Sequence, residues 1–152
     1  MGECIKFGRG VLKKTEILMI YDGGSALLNG TLGFGSIDSN LGVIVSNSDV
    51  ENIMAMAIEG VDYTAYSKLC FEGYSYFASP NTHSYTIGLA EYTLPTLTFS
   101  DYATNISTNS LVIQYDFVGE VNIDGAPDGY VIGINNGYEG RMIYITKLWL
   151  EG

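Results

Sequence analysis

The clearest pattern along the chain is alternation of apolar and polar positions with a period of two. Leu111, Ile113, Tyr115 and Phe117 fall on one side of an extended backbone and Gln114 and Asp116 on the other, as in an antiparallel strand with one face in a core. The four apolar side chains are therefore expected to point between two sheets. The same period groups Leu41 with Val43 and Val45, Leu69 with Phe71, Tyr85 with Ile87 and Leu89, Leu97 with Phe99, and Tyr130 with Ile132 and Ile134. Between these runs stand Asp22-Gly23-Gly24, Asn29-Gly30, Ser79-Pro80-Asn81, Asp124-Gly125 and Asn135-Asn136-Gly137, residues that tolerate turn conformations. Several short strands with frequent turns predict an all-β, two-sheet antiparallel β-sandwich. The uneven loops favour a jelly-roll or Greek-key arrangement over an up-and-down barrel.

Two segments strain this pattern. Ile143 and Ile145 are out of step with Leu148 and Leu150, which predicts a bulge near Thr146-Lys147 in preference to a strand buried on both faces. Ser48-Asp49-Val50-Glu51 has capping-box spacing, and Val50, Ile53, Met54, Ala57 and Ile58 follow a helical period. A short helix ending at Gly60 thus competes with a strand over 52–58; the strand is preferred because strands flank it and tertiary context overrides local propensity.

Composition fits this picture. Nineteen glycines and twelve tyrosines suit strands and turns better than helices, and 152 residues can bury one core. The apolar stretch at 17–21 is far too short to span a bilayer, and the start lacks the regions of a signal peptide. The net charge of −10 opposes a phosphate backbone and predicts no nucleic-acid partner. Charge is uneven: in residues 1–16, Lys6, Arg9, Lys13 and Lys14 outweigh Glu3 and Glu16 by two, which leaves −12 on residues 17–152. A basic arm over 1–16 therefore precedes an acidic sandwich domain over 17–152. Lys6, Phe7, Arg9, Leu12, Lys13 and Lys14 mix charge with apolar bulk in a way that predicts an assembly arm reaching onto another copy.

Candidate chemistry is sparse. His83 is the sole histidine, which excludes multi-histidine metal sites; no G-x-S-x-G elbow accompanies it. Gly8-Arg9-Gly10 lacks the remainder of a phosphate loop. Glu72, Glu91, Asp116 and Glu120 lie on or near strands, so a pair of carboxylates for glycoside hydrolysis is a distant alternative. Asp124 and Asp128 share a loop that could offer oxygens to calcium, but a turn needs no metal to explain them, and chelator is not expected to change the melting temperature. Cys4 and Cys70 read as unrelated thiols. The sequence predicts no enzyme, cofactor or metal. Tyr74, Tyr76, Tyr85 and Tyr92 fall in the middle strands, where tyrosine rings can offer a sugar an apolar face and a hydroxyl.

Two stretches carry a resemblance: residues 61–69, VDYTAYSKL, and the closing run from Gly129-Tyr130-Val131-Ile132-Gly133-Ile134 to Ile143-Tyr144-Ile145-Thr146-Lys147-Leu148-Trp149-Leu150-Glu151. Together they resemble jelly-roll domains of tail and virion proteins of bacteriophages that infect Gram-positive gut bacteria. Tyr63 departs from the leucine usual there. The resemblance implies a structural virion or tail protein, made in the host cytoplasm, with copies of itself or other virion proteins as partners. A glycan-binding module that recognises a host surface is the alternative, and neither reading involves membrane insertion.

Overall fold

The computed structural model describes residues 17–23, 30–34, 36–38, 43–45, 53–58, 61–93, 96–135 and 142–152. The N-terminal arm, with Lys6, Phe7, Arg9, Leu12, Lys13 and Lys14, lies outside them, as does Cys4. Among the described residues there are nine strands: β1 (Ile17–Asp22), β2 (Gly30–Phe34), β3 (Ser36–Asp38), β4 (Val43–Val45), β5 (Ile53–Ile58), β6 (Lys68–Thr93), β7 (Thr96–Asn122), β8 (Val131–Asn135) and β9 (Met142–Glu151). One 3₁₀ turn, Tyr63–Ala65, precedes β6. The segment that divided helix from strand is the strand β5.

The strands form one antiparallel sheet that curls into two layers. β6 and β7 make a long hairpin that belongs to both. Its lower part, Lys68–Tyr76 against Gln114–Asn122, pairs on its other side with β9, which in turn carries β1 and β4. This is the front layer. Its upper part pairs through Thr86–Ala90 with β8, followed by β5 and β2, and forms the back layer. The two layers close over a shared core: Leu69, Phe71, Phe117, Ile143, Ile145, Leu148 and Leu150 from the front meet Met56, Tyr85, Ile87, Leu89, Ile132 and Ile134 from the back. Each large apolar side chain removed from water here contributes about 1.5–3 kcal/mol. The alternation read for Leu69 with Phe71, for Tyr85, Ile87 and Leu89, and for Ile132 with Ile134 follows this inward face.

Between the layers the hairpin turns a corner. From Tyr76 to Asn81, β6 advances five residues while β7 advances two, from Gln114 to Val112, and the register shifts again before His83. Ser79-Pro80-Asn81 is therefore not a break between strands but the corner of one, where irregular pairing tolerates a proline that a regular ladder would exclude. The corner also corrects the expectation for β7. Phe117 is buried and Tyr115 half-buried, with Gln114 and Asp116 exposed, but Leu111 and Ile113 are 69% and 43% exposed. Their register is sound; they lie where the hairpin crosses between layers and the alternation runs past the edge of the core.

Candidate functional site on the outward face of the front layer

The bulge expected near Thr146 is present. Glu72 pairs with Lys147 and Gly73 with Ile145, so Thr146 is the extra residue, and its Oγ1 donates to the Glu72 carbonyl at 3.1 Å. Its consequence reaches beyond the core. Without it, Tyr144 and Trp149 would project from opposite faces of β9; with it, Met142, Tyr144, Lys147 and Trp149 all share the outward face. On β6 the outward set is Cys70, Glu72, Tyr74 and Tyr76, and on β7 it is Gln114, Asp116, Val118 and Glu120.

These residues form cross-strand rows. Trp149, Cys70 and Glu120 make the first, Lys147, Glu72 and Val118 the second, Tyr144, Tyr74 and Asp116 the third, and Met142, Tyr76 and Gln114 the fourth. From the first row to the fourth the face spans about 20 Å, at roughly 3.4 Å per residue. In the third row the Tyr74 and Tyr144 rings stack, with centroids 4.7 Å apart and planes inclined by 22°. Tyr76 is exposed one row on, and Trp149 lies two rows away with the Lys147 ammonium 5.7 Å from its ring.

Carboxylates rim this aromatic strip. The Trp149 indole N–H donates to Glu151 at 2.9 Å and holds that carboxyl below its usual range. Lys68 bridges Glu120 at 3.1 Å, and the hydrogen bond and charge of Glu120 raise the ammonium's pKa. Gln114 donates to Asp116 at 2.8 Å.

Cys70 sits under this strip, buried. Burial first, and then the Glu151 carboxylate beside it, push its thiol up to about 12. A thiol that ionises near its ordinary value in the unfolded chain but remains protonated in the fold stabilises the fold fully below the unfolded pKa, and that stability is lost as pH rises towards 12. In a Cys4→Ser background, unfolding free energy should thus fall between about pH 8.5 and 10, by up to about 1.4 kcal/mol per pH unit from this one proton. Cys70→Ala should flatten that limb in denaturant titrations; equal slopes in the two proteins would disprove the account.

Of the four tyrosines singled out by sequence, the structure brings only Tyr74 and Tyr76 together on this face. Tyr85 is a correction: it points the other way, 3% exposed, with its ring 5.5 Å from Phe117. Tyr92 belongs to the back layer, where it packs on a small cluster of Ala55, Ala90 and Leu97. Tyr144 and Trp149, not among those four, share this face with Tyr74 and Tyr76.

The other candidates scatter. Glu72, Asp116 and Glu120 share the front face, whereas Glu91 pairs with Thr98 near the tip of the hairpin. His83 is fully buried at the corner and faces no open site. Asp124 and Asp128 are exposed, and among the described residues no group of three or more histidine, cysteine or acidic side chains converges as metal ligands.

No protein-family model matches the chain, and no curated protein matches it. Solved structures do. A mutant of the Family 29 carbohydrate-binding module CBM29-2, made to probe its mechanism of ligand recognition, superposes with a TM-score of 0.54 at 12% identity over 90% of this chain and 91% of that one. A second mutant of the same module gives 0.54 at 10% identity, over 90% and 92%. Nothing in these likenesses points to a phage. At such identities they speak to architecture alone: the chain has the jelly-roll-like β-sandwich fold found in carbohydrate-binding modules.

Proposed function

We propose that the chain is a non-enzymatic carbohydrate-binding module that holds an extended glycan across the outward face of its front layer. The observation that carries this reading is the stacked Tyr74–Tyr144 pair, with Tyr76 and Trp149 on the same face. A sugar ring has an apolar face and a rim of hydroxyls. Aromatic side chains held by a rigid sheet meet the first, and carboxylates, which only accept hydrogen bonds, meet the second. Glu72, Asp116 and Glu120 stand beside the rings for that role. The length of the strip suits a chain of sugars better than a single ring. The fold likeness to a module studied for ligand recognition supports the same reading.

Titration calorimetry against soluble glucans, mannans and xylans tests it. At least one should bind. Tyr74→Ala, Tyr144→Ala and Trp149→Ala should each weaken binding by about fivefold, since one lost ring contact is worth on the order of 1 kcal/mol. Tyr92→Ala, on the other layer, should bind as wild type. Absence of binding to every polysaccharide, or a Tyr74→Ala/Tyr144→Ala double variant that binds normally, would defeat the proposal.

A further inference from the structure

A cleft of about 220 Å³ opens between the end of β5, residues 61–63 and residues 127–131, and shares no lining residue with the aromatic strip. Ala57, Pro127 and Val131 supply apolar walls; Asp62, Asp128 and Tyr130 supply polar groups. Among the described residues, no lysine, arginine or histidine lines it.

The walls are held in place. Asp62 caps the 3₁₀ turn, its Oδ1 accepting from the Thr64 backbone N–H at 2.9 Å. The opposite wall hangs from Ile123 and Ala126, both buried, with the Ala126 N–H donating to the Ile123 carbonyl and the Ile123 N–H to Ser67. Gly125 and Gly129 take φ of +86° and +87°, which glycine alone adopts at little cost. Tyr102 donates to the Gly125 carbonyl at 3.1 Å and meets the Tyr130 ring edge-on at 6.1 Å, fixing that ring. A cleft formed before its ligand arrives spares the ordering cost of binding.

We propose that this cleft is a second carbohydrate subsite, which takes one uncharged pyranose ring whose hydroxyls donate to Asp128 and whose apolar face packs on Tyr130. The volume lies below that of pockets for drug-sized ligands and suits one ring, not a chain. Its charged groups are carboxylates, which repel anions and accept hydrogen bonds, so the ligand must bring donors. Its apolar half offers nothing to a bare cation, which needs six or more converging oxygens if it is calcium. A polyol ring supplies both halves. None of the cleft's lining residues belongs to the front-face strip.

Amide chemical shifts of the labelled full-length chain, titrated with the methyl glycosides of glucose, mannose, galactose and xylose to about 50 mM, a range that detects millimolar Kd values, provide the test. At least one glycoside should move the amides of Ala57, Asp128, Gly129 and Val131. Asp128→Asn, which keeps the shape, should weaken that binding at least about tenfold, the value of roughly one charge-assisted hydrogen bond. Ala57→Phe should fill the cleft and abolish it, and Tyr74→Ala should leave it unchanged, so failure here and failure on the front face are read separately. The proposal is overturned if no glycoside moves those amides, if Asp128→Asn binds as wild type, or if calcium chloride alone moves the same amides at lower concentration.

Discussion

Gly73→Ala is expected to cost the fold on the order of 4 kcal/mol or more, at the severe end for a single substitution, and to lower the Tm by roughly ten degrees, at about 2–4 °C per kcal/mol for a chain of this size. A Cβ at Gly73 would overlap the carbonyl oxygen of Tyr144 and sit 3.0 Å from Phe117 Cζ. That carbonyl belongs to β9 just beyond the Thr146 bulge, where Gly73 pairs with Ile145. Backbone held in a ladder cannot give way by a rotamer change, so the bulge itself must deform, and with it the phase that puts Tyr144 and Trp149 on one face.

Gly119 supplies the control. It pairs with Phe71 as Gly73 pairs with Phe117, and each phenylalanine ring lies over the glycine across from it, the two rings meeting edge to face at 5.9 Å. The nearest atoms to a Cβ at Gly119 would all belong to the Phe71 ring, with Cε1 at 2.8 Å. A side chain can shift, so Gly119→Ala should cost about 1–3 kcal/mol, the usual range for overpacking. Thermal and denaturant unfolding of the two variants decides the matter. A Gly73→Ala protein as stable as Gly119→Ala would show that the carbonyl moves freely.

The same bulge explains what the sequence could and could not disclose. The phase break between Ile145 and Leu148 is visible in the order of residues, because a strand with one buried face must keep its period or lose a residue to a bulge. Placing that bulge at Thr146 already brings Tyr144 and Trp149 onto one face, so both aromatic residues were within reach of sequence reasoning. Parity along β6 likewise separates Tyr74 and Tyr76 from Tyr85. What the sequence did not disclose is that β6 runs on through Ser79-Pro80-Asn81. Local residue types signal a departure from regular pairing, but whether the chain then ends a strand or turns a corner depends on partners thirty residues away on β7. For that reason Leu111 and Ile113 carried a sound period and still lay outside the core. The cleft is less legible still, since Asp62 and Asp128 come together only through the packing of the loop after β7 against the turn before β6.

The corner itself is where the sole histidine acts, and His83→Ala is expected to destabilise the protein by about 3–5 kcal/mol. His83 Nε2 lies 2.9 Å from the Val112 carbonyl oxygen, and Nδ1 lies 2.7 Å from Ser75 Oγ. A carbonyl only accepts, so Nε2 carries the proton and donates to it; Nδ1 then accepts from the Ser75 hydroxyl. The imidazole thus ties β6 to itself across eight residues and to β7 at the point where their ladder is interrupted. Both Ser75 and His83 are fully buried, and Phe77 meets the imidazole at 5.2 Å. Truncation to alanine strands a buried hydroxyl and removes the carbonyl's partner, each worth about 1–3 kcal/mol, and leaves a cavity that adds to the loss. Ser75→Ala removes one hydrogen bond and should cost about 1–2 kcal/mol. In the double variant the two losses should not add, because both remove the same hydrogen bond, and a coupling of at least about 0.5 kcal/mol is expected from residues in contact. Equilibrium denaturation of the four proteins measures it. A His83→Ala cost below about 1 kcal/mol, or strict additivity with Ser75→Ala, would mean that the corner is held by its apolar neighbours and not by this pair.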